Sequence, residues 1–176
     1  MARELNEVGV VGLGTMGAGI AEVLARAGLS VTAVEINDEA LTRGRAHLQH
    51  STDRAMARGK LDAAERDAIY ERIRFSTSLE DLASAELVIE AVPERMELKT
   101  DVFSQLDKIC PPDTILATNT SSLSVTELSV ATGRPSKVIG MHFFNPAQVM
   151  KLVEVVSTIS TAVSYTHLTL PTILLV

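Results

Sequence analysis

Two residues twelve positions apart, His142 and Glu154, have types that suit proton chemistry. His142 stands between the apolar run VIGM and the turn-like F-F-N-P, and Glu154 interrupts L-V-E-V-V. A carboxylate in a run that otherwise reads as a buried strand is costly unless something pairs with it. If the chain turns through Asn145-Pro146 and returns along KLVEVV, Glu154 faces His142. Glu154 then fixes the imidazole tautomer and leaves the other ring nitrogen as a general base. The same contact also reads as a structural ion pair, and the residues alone leave both readings open.

A second constellation is G-L-G-T-M-G at 12–17, after the apolar run EVGVV and opening a helix-like segment. G-x-G-x-x-G in that setting is a dinucleotide cradle. Gly12 permits the tight turn, Gly14 lets backbone approach a pyrophosphate, and Gly17 lets helix pack closely on strand. Glu35 ends the next strand, 18 residues after Gly17. A carboxylate there accepts ribose hydroxyls of NAD and repels the 2′-phosphate of NADP, so NAD is the expected cofactor. T-N-T-S-S-L at 118–123 follows another strand end; its hydroxyls suit a substrate oxygen or a carboxamide, and equally an ordinary helix cap. A Ser-His-Glu hydrolase lacks its G-x-S-x-G elbow here.

These residues need a scaffold that brings strand ends together. Val/Ile-rich runs at 7–12, 29–35, 73–77, 86–92, 114–119 and 137–143 alternate with helical patterns. One helix ends at Gly28, a long one capped by Asn37 or Asp38 breaks near Gly59 and restarts at Asp62, and another spans 94–109. The expected class is α/β, a doubly wound, mostly parallel Rossmann-type sheet with a long helical-pair insertion. With 176 residues there is room for one domain with a real core. Net charge of −6 argues against a general nucleic-acid binder, although Arg43, Arg45, Arg54, Arg58 and Lys60 crowd one stretch and suit a local anion. The single Cys110 excludes an internal disulfide and a cysteine-rich metal site, and no metal is expected. The apolar runs are too short to span a bilayer and MARELNEV lacks a secretory core, so the expectation is a cytoplasmic protein without membrane partners. His47 and His50 read as surface residues, and Met16, Met141 and Met150 as packing.

Taken together, VGLGTMGAGIA, VIEAVPERMELK, ATNTSSLS and GMHFFNPAQVMKLVEVV resemble the NAD-binding domain of the 3-hydroxyacyl-CoA dehydrogenases, in unbroken order from Val8 to Ala162. The bacterial 3-hydroxybutyryl-CoA type is the nearest in pattern. The resemblance implies His142 as general base, Glu154 as its orienting partner, and Ser121 near the nicotinamide and the substrate's 3-oxygen. It implies NAD contacts from Glu94, Lys99 and Asn145 beside Gly12, Gly14, Gly17 and Glu35. It makes 38–72 a coenzyme A-contacting arm with Ser51 and Arg58 at contact positions, which gives the basic stretch its anion. The implied reaction is reversible oxidation of an (S)-3-hydroxyacyl-CoA to the 3-oxoacyl-CoA. H-F-F-N-P is shared with sugar-acid dehydrogenases of the gulonate type, which stay an alternative.

After Ala162 the resemblance stops. The family pattern continues into a helical domain that closes the cleft and forms a homodimer, whereas this chain reads VSYTHLTLPTILLV. Its first ten residues resemble a translated transposase adapter. The expected organisation is therefore an NAD-binding domain over 1–162, incomplete at its C-terminal end, and a non-native tail over 163–176, with no role for His167. A catalytically incomplete NAD-binding fragment is the corresponding second reading of function.

Overall fold

The structure, a computed structural model, describes residues 5–161. The expected tail at 163–176 lies outside the described residues, as do 1–4 and 162. Seven strands form one sheet: β1 (Glu7–Val11), β2 (Ser30–Val34), β3 (Ile73–Ser76), β4 (Leu87–Glu90), β5 (Ile115–Thr118), β6 (Val138–Phe143) and β7 (Val153–Val156). Their order is β3-β2-β1-β4-β5-β6-β7; all neighbours are parallel except β6 and β7. The order reverses between β1 and β4, and in open parallel sheets ligands bind outside the carboxyl ends of the strands at that point.

The central strands are buried on both faces because helices cover both. On one side lie α1 (Thr15–Arg26), α2 (Asp38–Ala57) and α3 (Ala63–Glu71), packed over Val8, Val10, Val31, Ile89 and Ile115. On the other lie α4 (Met96–Ile109) and the short α5 (Val125–Ser129), over Val11, Val34, Val88 and Leu116. Continuous Val/Ile runs with no polar alternation are what such doubly covered strands require. Leu24 is fully buried in α1, and truncating it to alanine would cost about 2–5 kcal/mol.

Local signals set the helix ends. Gly28, at φ 92°, closes α1. Its N–H reaches the Ala25 carbonyl at 3.1 Å while Leu29 N–H reaches Leu24 at 3.2 Å, a Schellman stop. The Asn37 side chain caps α2 by accepting from Ala40 N–H at 2.9 Å. Gly59, at φ 65°, separates α2 from α3, and Asp62 opens α3 with a reciprocal capping box to Glu65.

One expectation changes. KLVEVV is not a buried strand: β7 pairs with β6 alone among the described residues, and Val155 and Val156 remain 43% and 44% exposed. A strand with a neighbour on one side keeps part of its surface in water. Met150, expected as packing, is likewise 44% exposed.

Candidate functional site

The glycine cradle sits where β1, β2 and β4 end together. Gly12, at φ 89°, donates its N–H to the Val34 carbonyl at 2.9 Å. A Cβ on Gly12 would lie 2.9 Å from the Ala91 carbonyl oxygen, so the turn brings β1 against the exit of β4. A Cβ on Gly17 would lie 1.7 Å from the Gly12 carbonyl oxygen, which only glycine avoids. Gly14 differs: nothing lies within 4 Å of its missing Cβ, so its glycine serves no internal contact and leaves space beside the first turn of α1. The free N–H groups of that turn suit a pyrophosphate.

Glu35 is fixed from both sides. Its Oε1 accepts from Leu13 N–H at 2.6 Å and its Oε2 from Ile36 N–H at 3.0 Å. The carboxylate therefore stands ready at the cradle's rim, with lone pairs left for a diol. Cradle and Glu35 open on a cleft of about 950 Å³ whose apolar walls include Ile36, Ala91, Val92 and Leu98. Ile36 is 81% exposed, an uncovered apolar wall suited to a flat base. These residues fit the adenosine and pyrophosphate of a dinucleotide. Arg43 and His47 also line the cleft, one helical turn apart on α2. The sequence reading put His47 on the surface, where it is exposed; that it also lines the cleft depends on how α2 packs on α1.

The second cluster lies at the ends of β5 and β6. Antiparallel register sets His142 opposite Glu154, and His142 Nδ1 is 2.9 Å from Glu154 Oε2. A proton on Nδ1 is needed for that contact, since a bare nitrogen and a carboxylate oxygen are both acceptors. The Nε2 lone pair is then available. The side chains are 23% and 55% exposed, so the Glu is more open to water than its run of neighbours implied. The His142 ring leans on Phe144, centroids 4.7 Å apart.

Asn119 ties the two strand ends together, its Oδ1 accepting from Phe143 N–H at 2.8 Å. Just beyond it, Thr120 Oγ1 donates to Glu94 Oε1, and Ser121 N–H reaches the same oxygen at 3.3 Å. Burial alone would raise the Glu94 carboxyl; hydrogen bonds from Thr120 and Lys99, the Lys99 charge and the Ser121 N–H together bring it below its ordinary value. The Ser121 side chain is exposed at the site's mouth. Lys99, for which the resemblance implied an NAD contact, sits between two carboxylates. It is 1% exposed, with Nζ 2.8 Å and 3.1 Å from the two Glu90 oxygens and 3.2 Å from Glu94 Oε2. Its charge is committed inside the domain.

Asn145 is exposed in the turn after His142 and precedes a cis peptide to Pro146. Ser51 is bridged to that turn, its Oγ accepting from Gln148 Nε2 at 3.0 Å. Arg58 caps the far end of α2 and is exposed. The basic stretch is not one surface: Arg43 pairs with Glu39 at 2.5 Å, and Arg45 lies 4.5 Å from the Phe75 ring centre. Glu90 escaped sequence reasoning, although E-A-V-P-E places it at a strand end where ligands bind; Asn119 and Thr120 were read only within T-N-T-S-S-L, without the partners found here. Among the described residues no group of three His, Cys, Asp or Glu is placed to hold a metal, and no helix is long and apolar enough to cross a membrane.

Residues 7–172 match the family described as 3-hydroxyacyl-CoA dehydrogenase, NAD binding domain, a match reaching beyond Ala162. The chain is 46% identical over 159 residues to a probable 3-hydroxybutyryl-CoA dehydrogenase of Bacillus subtilis, covering 90% of this chain and 55% of that protein. It is 45% identical over 162 residues to the 3-hydroxybutyryl-CoA dehydrogenase of Mycobacterium tuberculosis, with 92% and 57% covered. Among solved structures, M. tuberculosis FadB2 superposes with a TM-score of 0.92 at 43% identity, over 94% of this chain and 59% of that one. The chain spans little more than half the length of these relatives.

Proposed function

Because the chain belongs to the 3-hydroxyacyl-CoA dehydrogenase family, in its NAD-binding domain, we propose that it supplies the cofactor cradle and the base of an NAD-dependent oxidation of (S)-3-hydroxyacyl-CoA to 3-oxoacyl-CoA. The observation that carries this reading is the 2.9 Å contact of His142 with Glu154 at the strand edge that also carries Ser121. Gly12, Gly14 and Gly17 shape the pyrophosphate seat, Glu35 receives the adenosine ribose, and Glu94 and Asn145 face the nicotinamide end. NAD, when bound, accepts the hydride from C3 of the substrate. His142 Nε2 accepts the hydroxyl proton as the carbonyl forms, and Glu154 stabilises the imidazolium through Nδ1. Ser121 steadies the 3-oxygen.

A 3-hydroxybutyryl-CoA substrate is favoured by the names of the relatives. Coenzyme A would lie along α2, with Ser51 and Arg58 as contacts. The parent enzyme is read as a cytoplasmic homodimer. A second reading, NAD binding without turnover, draws on one observation: the exposed side chains of Val149, Met150, Leu152 and Val155 follow His142 closely in the chain, and open surface admits water.

NADH and acetoacetyl-CoA added to the chain separate the two. Loss of NADH absorbance in the wild type, falling about 10²–10⁴-fold in His142→Ala, supports the enzyme. Equal turnover in His142→Ala sinks the base assignment, and NAD binding with no turnover in the wild type establishes the second reading. Arg58→Glu should raise KM for the CoA ester; an unchanged KM there, with turnover of a sugar acid, favours the gulonate-type alternative.

A further inference from the structure

Beneath Ser121 lies a buried ion cluster that neither the cradle nor the base accounts for. Glu90, the last residue of β4, is fully buried, and both its oxygens are engaged. Oε1 accepts from Val92 N–H at 2.7 Å and Lys99 at 2.8 Å; Oε2 accepts from Thr118 Oγ1 at 2.7 Å and Lys99 at 3.1 Å. One carboxylate thus joins β4, β5, the β4–α4 turn and α4. Lys99 carries the link outward to Glu94, whose other oxygen holds Thr120 and Ser121. Taking charges out of water costs several kcal/mol per ion, and apolar residues of similar volume often stabilise as well. Stability alone is therefore a weak reason for this cluster, and its open end is the candidate site.

Resting on the cofactor reading above, we propose that Glu90 is a positioning residue: through Lys99 it holds Glu94 and the Thr120–Ser121 loop in the pose that receives the nicotinamide end of NAD. Lys99 is 1% exposed and lies 3.2 Å from Glu94 Oε2, so any shift of its ammonium is passed to Glu94. The Val92 N–H bond adds a second effect, because Ala91, Val92 and Pro93 line the cleft. One carboxylate consequently sets the cleft wall and the serine loop together.

The test compares the wild-type chain with Glu90→Gln and with Glu90→Gln/Lys99→Met, reading Tm and the dissociation constant for NAD. The single variant removes the buried counter-charge of Lys99 and leaves its ammonium to Glu94, 3.2 Å away, so it should lower Tm and weaken NAD. The double variant removes both charges with little change of volume, so Tm should return close to the wild type. NAD binding should stay about 10-fold weaker, the loss expected of a supporting shell. Adding Glu94→Gln to the double variant should then change affinity little, while the same change in the wild type weakens it, since residues of one relay are non-additive. A double variant that binds NAD as the wild type does, or full additivity with Glu94→Gln, overturns the inference. Should the double variant fold poorly, Thr118→Val loosens Glu90 with the charges kept and should weaken NAD about fivefold, the worth of roughly one hydrogen bond; unchanged affinity is again fatal. A wild-type chain that binds no NAD is a different result, which removes the cofactor reading and this inference with it.

Discussion

The glycine cradle and the His142–Glu154 edge serve the same proposed reaction but are built in opposite ways. The cradle is backbone packed on backbone: Gly12 and Gly17 are forced by contacts of 2.9 Å and 1.7 Å to a hypothetical Cβ, and the surrounding strands are buried on both faces. The His–Glu pair is two side chains across an antiparallel ladder whose outer strand is half open to water. Backbone packing in a dry core tolerates no substitution and needs no partner. A pair on an edge strand keeps its geometry only as long as the ladder holds register.

The severest way to break the cradle is Gly17→Ala. Its methyl group must push either α1 or the Gly12 turn, at about 3 kcal/mol or more, with loss of NAD binding. Gly14→Ala sharpens the contrast, since open space surrounds it: unfolding in urea should shift by less than about 1 kcal/mol while NAD binding weakens. Equal destabilisation by the two would show that the cradle's glycines are not divided into packing and ligand roles.

At the other region the expected effect is kinetic rather than structural. Glu154→Gln keeps a hydrogen-bonding group opposite Nδ1 but removes the charge that stabilises an imidazolium. Turnover should fall about 10-fold to 100-fold, part of the general-base contribution. Tm should hardly move, because a pair this exposed contributes about 0–1 kcal/mol. A large drop in Tm with unchanged turnover would make the pair a structural ion pair, the alternative its residue types left open.

The smallest effect lies between the two regions, at Glu94. Its carboxyl is held below the ordinary value of 4.5, so the folded state gains stability above that pH. The gain is lost as pH falls through the lowered folded value. Tm of the wild type and of Glu94→Gln, measured from neutral pH downward, should therefore converge in acid below about pH 4.5. Parallel curves would mean that the Thr120 and Lys99 bonds do not favour the ionised form.

Much of this was legible because the signals are local. A strand followed by G-x-G-x-x-G and an acid at the next strand end fixes the cradle, since the turn, the close approach and the helix start are decided within about thirty residues. Gly28, Asn37 and Asp62 marked helix ends for the same reason: a cap bonds backbone two or three residues away. The facing of His142 and Glu154 was legible on one condition, a return of the chain after Asn145-Pro146, which the antiparallel register of β6 and β7 meets.

What the sequence left open were the non-local matters. Whether a run of valines is a core strand or an exposed edge depends on who pairs with it, and β7 has one neighbour among the described residues. That Lys99 meets a buried carboxylate depends on β4 ending beneath α4, with Glu90 nine residues earlier in the chain. The sequence by itself determined the class of fold and the cradle, because short-range geometry specifies them. Only the tertiary structure decided which charges are inside and which face the site, because burial is a property of the assembled layers and not of any one segment.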